Sequence, residues 1–546
     1  MSKDFALEEL DAQLVATMAQ PDAQPDEDVP FCLAVVGDWS GRANRGLFAS
    51  SAELADWRPL LVDRDNLDQV MARLGVKLRL ALSDDQNQLL TIDFNELADF
   101  HPDRLFERSV LFESLQRTRA KLSNPKTFAE AAAEVRNWGS VQSSTAVQAD
   151  ISPDSQTQAA PEIKPAQPIS AGSLLDQILA DTTPDRTLAK PLAQPPNVSP
   201  EISELARAAV KPYLTPNIEA DQDELMAAVD ARIAADMNAI LHHPDFQALE
   251  AAWRALDFLV TRLDTGPELK LYLLDISFAE FKADLCSDKD LRAIGLYKLL
   301  VEQTVGTAGG VPWAVIAGNY TFDFASGDPG LIERISLVAK ASGAPFIAAA
   351  TSHLLGCESL VETPDPDDWQ TPLDSHIEER WKSLTRIPSA GYVGLALPRF
   401  LLRLPYGKET DPTEEFEFEE MPDTEDRKVP GKTGAGTHSR HESYLWANPA
   451  FAVAYLMAKG FSESGWDFRP SDSLEIEGLP LHICNVDGDT EIRPCAEVLL
   501  TLRAAEKIID RGLMPLLSLK DSDTVRLGMS QSIAGTGIRG PWTQEV

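Results

Sequence analysis

An α/β fold is predicted for this chain, and three observations predict it. Between residues 269 and 397, four short apolar runs (Leu269 to Ile276, Pro312 to Ala317, Pro345 to Ala350 and Tyr392 to Leu397) alternate with stretches of helical character. Strands apolar along their whole length belong in a largely parallel sheet covered on both faces by helices. Ahead of them, in Asn238 to Val260 (NAILHHPDFQALEAAWRALDFLV), Phe246, Leu249, Trp253, Leu256 and Val260 recur at steps of three and four. That spacing lines one face of a helix, with Pro244 in its first turn and Asp245 at the positive end of its dipole. Glu250, Arg254 and Asp257 fall largely off the apolar stripe. Finally, a 44% hydrophobic and 25% charged composition over 546 residues supports two or more domains with an ample core.

Charge excludes some partners. A formal charge of −36 repels nucleic-acid phosphates and anionic lipid headgroups, so neither nucleic acid nor membrane is expected as a partner. Five scattered cysteines with no CxxC point to a reducing compartment. No apolar run reaches the length of a membrane span, and the start MSKDFALEELDAQL is acidic rather than signal-like. A cytoplasmic protein is the expectation.

Taken in order, residues 1–30 read as a short acidic helix and a polar tether. Residues 31–138 read as a small α+β domain. Phe31 to Val36 is a buried strand ended by Gly37 and Asp38, and Val76 to Leu82 alternates as a half-buried strand should. Leu89 to Phe94 is a further strand; Asn66 to Leu74, Asp103 to Leu122 and Thr127 to Trp138 are helices. Residues 139–200 lack aromatic residues and are rich in Pro, Ser, Gln and Ala, the composition of a disordered linker. Within it, residues 173–180 form an island where Leu174, Leu175, Ile178 and Leu179 share one face of a short amphipathic helix. Residues 201–546 are the larger α/β domain, with a helical lead-in over Glu201 to Leu263 (helices Leu225 to Leu241 and Pro244 to Leu263), helices over Phe278 to Leu285, Leu291 to Val305, Pro329 to Ser342 and Glu491 to Gly512, and a strand over Leu513 to Leu519.

Several phrases together carry a family resemblance. FCLAVVGDWSGR, DRDN, LTIDFNELADFHPDRL and the helix bearing Leu115, Arg119 and Leu122 resemble, in order, the small subunit (TssB, or VipA) of the type VI secretion contractile sheath. The helix over Asn238 to Val260 resembles the signature helix of the large sheath subunit (TssC, or VipB), with Phe246, Leu249, Glu250, Trp253 and Arg254 as signature residues. LLDISFAEFKADL, GTAGGVPWAVIAGNYTFD, APFIAAATSHLLG, GLALPRFLLRLPYG and SYLWANPAFAVAYLMAKGFSESGW continue that likeness over nearly three hundred residues. The resemblance implies a fused structural sheath component without catalytic, cofactor-binding or metal-binding residues. Its expected partners are copies of itself or other sheath, tube and baseplate proteins. It also implies a role for the island: Leu174, Leu175, Ile178 and Leu179 resemble the element gripped by the AAA+ unfoldase ClpV. Beyond Glu475 the likeness continues, but the sequence stops short of the usual C-terminal extension, which suggests an alternative, a non-polymerising cap, initiator or baseplate-side adaptor.

Chemistry-bearing patterns are sparse. GDWSGRANRG lacks a dinucleotide or P-loop signature, and Pro430 to Thr433 only imitates the end of one. The carboxyl ends of the expected strands offer Asp275, Asn319, Tyr320 and Thr351, which form no recognisable catalytic set. His438 and His441 have a spacing a metal could use but lack evident further ligands. His101, His242 and His243 read as caps or hydrogen-bonding groups before prolines. Cys484 and Cys495 read as interior residues, and the acidic run Glu409 to Asp426 as a solvated loop in which Phe416 and Phe418 share one face of a strand, with an acidic contact surface for a neighbouring subunit or an inner tube as the alternative. An α/β enzyme acting on a small molecule is the alternative from another class; a convergent set of titratable groups in a pocket would support it.

Overall fold

The computed structural model describes residues 25–26, 28–82, 89–141, 218–324, 329–421, 441–486 and 489–543. The expected N-terminal helix, the linker from residue 142 on with its island at 173–180, the Pro430 to Thr433 loop and His438 lie outside them. The α/β class holds. Contacts divide the chain into two units, one drawing on residues 1–115 and 230–546, the other on 116–229. In the smaller unit, Gln222 Nε2 donates to Leu122 O at 3.0 Å, and helix Phe128–Val141 follows along the chain.

The larger unit is built on one sheet. Its strands in chain order are β1 (Phe31–Gly37), β2 (Leu60–Val62), β5 (Leu269–Asp275), β6 (Val315–Phe322), β7 (Phe346–Ala350), β8 (Val393–Leu397), β11 (Glu475–Ile476), β14 (Met514–Ser518) and β15 (Val525–Leu527). Between them lie β3 (Val76–Ala81) paired with β4 (Leu89–Phe94), β9 (Phe400–Leu401) with β10 (Trp446–Ala447), and β12 (Ile483–Val486) with β13 (Asp489–Ile492). The nine-stranded sheet runs in the order β11-β15-β14-β8-β7-β6-β1-β5-β2. From β5 across to β14 every neighbour is parallel; the antiparallel pairs are at the two edges.

The strand contributed by the N-terminal sequence is an interior one. β1 pairs with β5 from Phe31↔Leu269 to Gly37↔Asp275, and with β6 from Leu33↔Val315 to Val36↔Gly318. All seven of its residues are buried. The sequence ranges 31–138 and 201–546 therefore meet within a single hydrogen-bonded sheet.

Helices cover this sheet as its apolar strands require. Helix Pro449–Ser464, capped by Asn448 accepting from Ala450 N at 2.9 Å, is buried along most of its length. Its Phe461 meets Phe31 of β1 at 4.9 Å between ring centroids. Phe281, Tyr320 and Phe346 pack as an aromatic cluster under helix Phe278–Leu285. Alternation in β3 comes out as read, with Val76, Leu78 and Leu80 buried and Lys77 and Arg79 exposed.

Three helices differ from expectation. The stretch Asp103 to Leu122 is broken at Ser109, whose backbone is extended, into helices Pro102–Arg108 and Val110–Ser123. The stretch Leu291 to Val305 is broken into a 3₁₀ turn (Leu291–Ala293), a short helix (Gly295–Tyr297) and a π turn (Lys298–Glu302). The break follows from Asp284, whose carboxylate takes the backbone N–H groups of Gly295 and Leu296 at 2.9 and 2.7 Å and so starts a new helix there. Glu491 to Gly512 is helical only over Leu502–Asp510, because Glu491 and Ile492 belong to β13 and Pro494 follows directly.

Leu33→Ala should lower the stability of the larger unit by about 3 kcal/mol, the usual cost of emptying a fully packed core site. Urea unfolding should show a lower midpoint at unchanged slope, and hydrogen exchange should show β5 and β6 losing protection together with β1.

Candidate functional site

The signature helix, Pro244–Arg262, links the two ends of the sequence. It starts at His243, whose Nδ1 accepts from Asp245 N at 3.2 Å. The same three-residue device recurs at His101-Pro102-Asp103, where His101 Nδ1 accepts from Asp103 N at 3.3 Å and caps helix Pro102–Arg108. Phe246, Leu249 and Trp253 are buried as the periodicity predicts. Phe246 packs on Phe94 and Phe100, with ring centroids 5.9 and 5.6 Å apart. Trp253 Nε1 donates to Trp39 O at 2.8 Å, directly after β1.

The helix has a second buried face, and it is ionic. Glu250, expected off the apolar stripe, is 0% exposed. Its carboxylate accepts from Arg403 Nε at 2.8 Å and Nη2 at 3.2 Å, and from Arg254 Nε at 2.7 Å. Arg403 also donates to Glu420 through Nη1 at 2.7 Å and Nη2 at 3.2 Å, and lies over the Tyr406 ring at 4.2 Å. Arg254 Nη2 donates to Tyr406 Oη at 2.8 Å, and Tyr406 N donates to Glu420 Oε2 at 2.8 Å. His242 Nε2 lies 3.3 Å from Glu420 Oε1. Two carboxylates and two guanidiniums thus balance in a buried node with nearly every hydrogen-bonding direction used.

Burial alone would raise the Glu420 carboxyl; Arg403, His242 and the Tyr406 amide outweigh it and hold it down at about 2. Burial likewise opposes charge on Arg403, yet Glu250 and Glu420 raise it well above its ordinary value. The Tyr406 hydroxyl is pushed up to about 12 by burial.

Arg403 and Tyr406 were not singled out from the sequence. Two arginines, Arg399 and Arg403, inside the apolar run Gly394 to Leu404 were the signal available. Glu420, read as part of a solvated loop, is 3% exposed, and Phe416 and Phe418 lie in irregular backbone rather than on a strand.

At the carboxyl ends of the strands, Asp275, Tyr320 and Thr351 are hydrogen-bonded within the chain. Asp275 accepts from Trp39 N at 2.8 Å, Ser40 N at 3.0 Å and Ser40 Oγ at 2.7 Å. Asp38 accepts from Arg42 N and Ala43 N at 2.7 and 2.8 Å. The loop amides that would cradle a phosphate are therefore filled by carboxylates. Glu280, 0% exposed, accepts from Arg42 Nη2 at 2.8 Å and Ala49 N at 2.6 Å, tying that loop to helix Phe278–Leu285. Tyr320 Oη donates to Ile276 O at 2.7 Å, and Thr351 Oγ1 lies 3.1 Å from Asp323 Oδ1.

Among the described residues one group has metal-ligand geometry: His441, Glu442 and Glu497 bring ligand atoms within 4.8 Å of one another. Arg399 already stands there as the cation, paired with Glu497 and with Glu442 Oε1 at 3.0 Å. His441 and Arg399 overcome burial and hold the Glu497 carboxyl at about 2. Cys495 is buried, its Sγ 3.3 Å from Pro480 O. A groove of about 500 Å³ opens beside the ionic node, lined by His101, Asp103, Glu107, Arg254, Asp411 and Glu414 among others, with no Ser, Thr or Cys nucleophile among its described lining residues.

The larger unit is thus one mainly parallel sheet whose described charged groups largely pair with the chain's own segments. Residues 223–534 match the VipB family, described as EvpB/VC_A0108, tail sheath N-terminal domain. The chain belongs to this tail-sheath family. Residues 13–138 match a second family, described as type VI secretion system, VipA, VC_A0107 or Hcp2. The chain is also similar to the type VI secretion system sheath protein TssC1 of Pseudomonas aeruginosa, with 34% identity over 317 residues, 57% of this chain and 61% of that relative. It thus spans less than two thirds of that relative's length.

Glu420 and Glu497 both ionise well below their ordinary 4.5. Their contribution is fully present above pH 4.5 and is lost as pH falls toward 2. For Glu420 a shift from 4.5 to about 2 corresponds to roughly 3 kcal/mol. Glu420→Gln should remove about that much stability at pH 7 and flatten the fall in urea midpoint between pH 5 and 2. Glu250→Ala, which leaves two guanidiniums facing one buried carboxylate, should cost about 3–5 kcal/mol.

Proposed function

We propose that the chain is a structural component of a type VI secretion apparatus: a fused small-plus-large sheath protein that assembles with copies of itself. The observation that carries this is β1, which comes from the VipA-like part and lies between β5 and β6 of the VipB-like part. A chain carrying both parts sets their ratio at one to one and replaces encounter by a tethered effective concentration. Each molecule would contribute its α/β body, the larger unit, to a helical or ring assembly, and motion would come from such bodies shifting between packings. No bound nucleotide is needed for such a step, because the free energy resides in interfaces.

The working place proposed is the cytoplasm. Among the described residues no helix is long and apolar enough to cross a membrane. Other sheath, tube or baseplate proteins are the further partners proposed. Leu174, Leu175, Ile178 and Leu179 are proposed as a docking helix for the unfoldase ClpV.

Negative-stain microscopy of the purified chain should show tubes or rings. Discrete small particles would move the reading to a cap, initiator or baseplate-side adaptor, and a monomer that turns over a small molecule would end it. For the docking helix, Leu175→Asp with Ile178→Asp should abolish binding to the unfoldase in a pull-down, while binding at the parent level would remove that assignment.

A further inference from the structure

We infer that residues 406–420 form a strap that stays anchored at its stem and opens at its tip, gating the groove floored by Arg254. The stem closes on itself. Glu420 N donates to Tyr406 O at 2.9 Å, and Tyr406 N donates to the Glu420 carboxylate at 2.8 Å. Both residues are buried, at 1% and 3% exposure, and Arg403 locks Glu420 to Glu250 of the signature helix. The backbone between is irregular, as in a loop whose ends meet.

The tip is held differently. Glu414 N and Glu415 N donate to the Asp103 carboxylate at 3.0 and 3.2 Å, and Phe416 stacks on Phe106 with ring centroids 4.6 Å apart. Glu414 and Glu415 are exposed, and Phe416 is half-buried. Asp411, Glu414 and Glu415 form one wall of the groove, facing Asp103, Glu107, Arg104, His101 and Arg254. Arg104 is paired with Glu107 at 3.2 Å, Arg254 with Glu250 and Tyr406, and His101 Nε2 lies 3.9 Å from Asp411 Oδ1, which leaves the Asp103 carboxylate facing those of Glu414 and Glu415 as the like charges across the gap. Like charges push the tip outward while buried pairs hold the stem, so the strap moves as a flap. Added salt screens that repulsion and closes it. The inference rests on the folded chain alone and stands whether or not the chain assembles.

Hydrogen exchange by mass spectrometry on the full chain tests it through four amides. Those of residues 414 and 415, bonded to Asp103, should exchange at least about tenfold faster than those of 406 and 420. Raising NaCl from about 0.05 to 0.5 M should slow the tip pair. Phe416→Ala should speed the tip pair by about tenfold and leave 406 and 420 as in the parent; Glu420→Gln should speed the stem. Equal rates at tip and stem, a tip slower than the stem, tip rates that do not fall with salt, or a Phe416→Ala chain exchanging at 414 and 415 like the parent would each overturn the strap.

Discussion

Seven buried apolar residues in a row, Phe31–Gly37, set the constraint from which the larger unit follows. A strand with no solvent on either face or edge must pair its backbone on both sides, because an unpaired buried N–H or C=O costs as much as a lost hydrogen bond. β1 finds those partners in β5 and β6, far along the chain. Its register then fixes what comes next. Gly37 lies opposite Asp275, so the Asp275 carboxylate reaches the amides of Trp39 and Ser40, and the turn they make presents Trp39 O to Trp253 of the signature helix. Gly37 also has to be glycine, since a Cβ there would sit 2.9 Å from that of Asn319.

From that anchor the helix carries the ionic node. Burying Glu250, Arg403 and Glu420 with Arg254 against them gains little over a well-packed apolar cluster, since desolvation offsets most of the attraction. The node confers direction instead. Arg403 is a planar fork whose two sides match two carboxylates, one on the helix and one at the end of the loop after β9, and no rotated packing of helix and loop satisfies both. Apolar contacts such as Phe246 with Phe100 tolerate small slides; bidentate pairs do not.

Much of this was legible in the sequence. Uninterrupted apolar runs gave the parallel strands their place in a covered sheet, and the three-four spacing of Phe246, Leu249 and Trp253 named the face that is buried. His101 and His243 before prolines read as caps, and they are. Hidden from view was anything that depends on which strand lies beside which. Hydropathy records that β1 is buried but not that its neighbours come from more than two hundred residues away. Periodicity likewise treats a glutamate off the apolar stripe as solvent-facing, and only a partner such as Arg403, remote in sequence, makes Glu250 an interior residue. The helix expected over Glu491 to Gly512 failed for a local reason, the hairpin and Pro494, which carried more weight than the apolar spacing around them.

Open α/β sheets hold ligands outside the carboxyl ends of their strands, where neighbouring crossovers part. Here that place lies around β1, β5 and β6, and it is already occupied from within. Asp275 and Asp38 take the loop amides that would face a phosphate, Glu280 takes the guanidinium of Arg42, and Tyr320 gives its hydroxyl proton to Ile276 O. Arg399 does the same to the one His-and-carboxylate cluster with a metal's spacing among the described residues. Groups committed to one another in this way stiffen the sheet from within. A body so closed internally can exchange free energy with its surroundings chiefly through its outer surfaces. That is the physical requirement for a unit whose work, on the sheath reading, is to be repositioned whole.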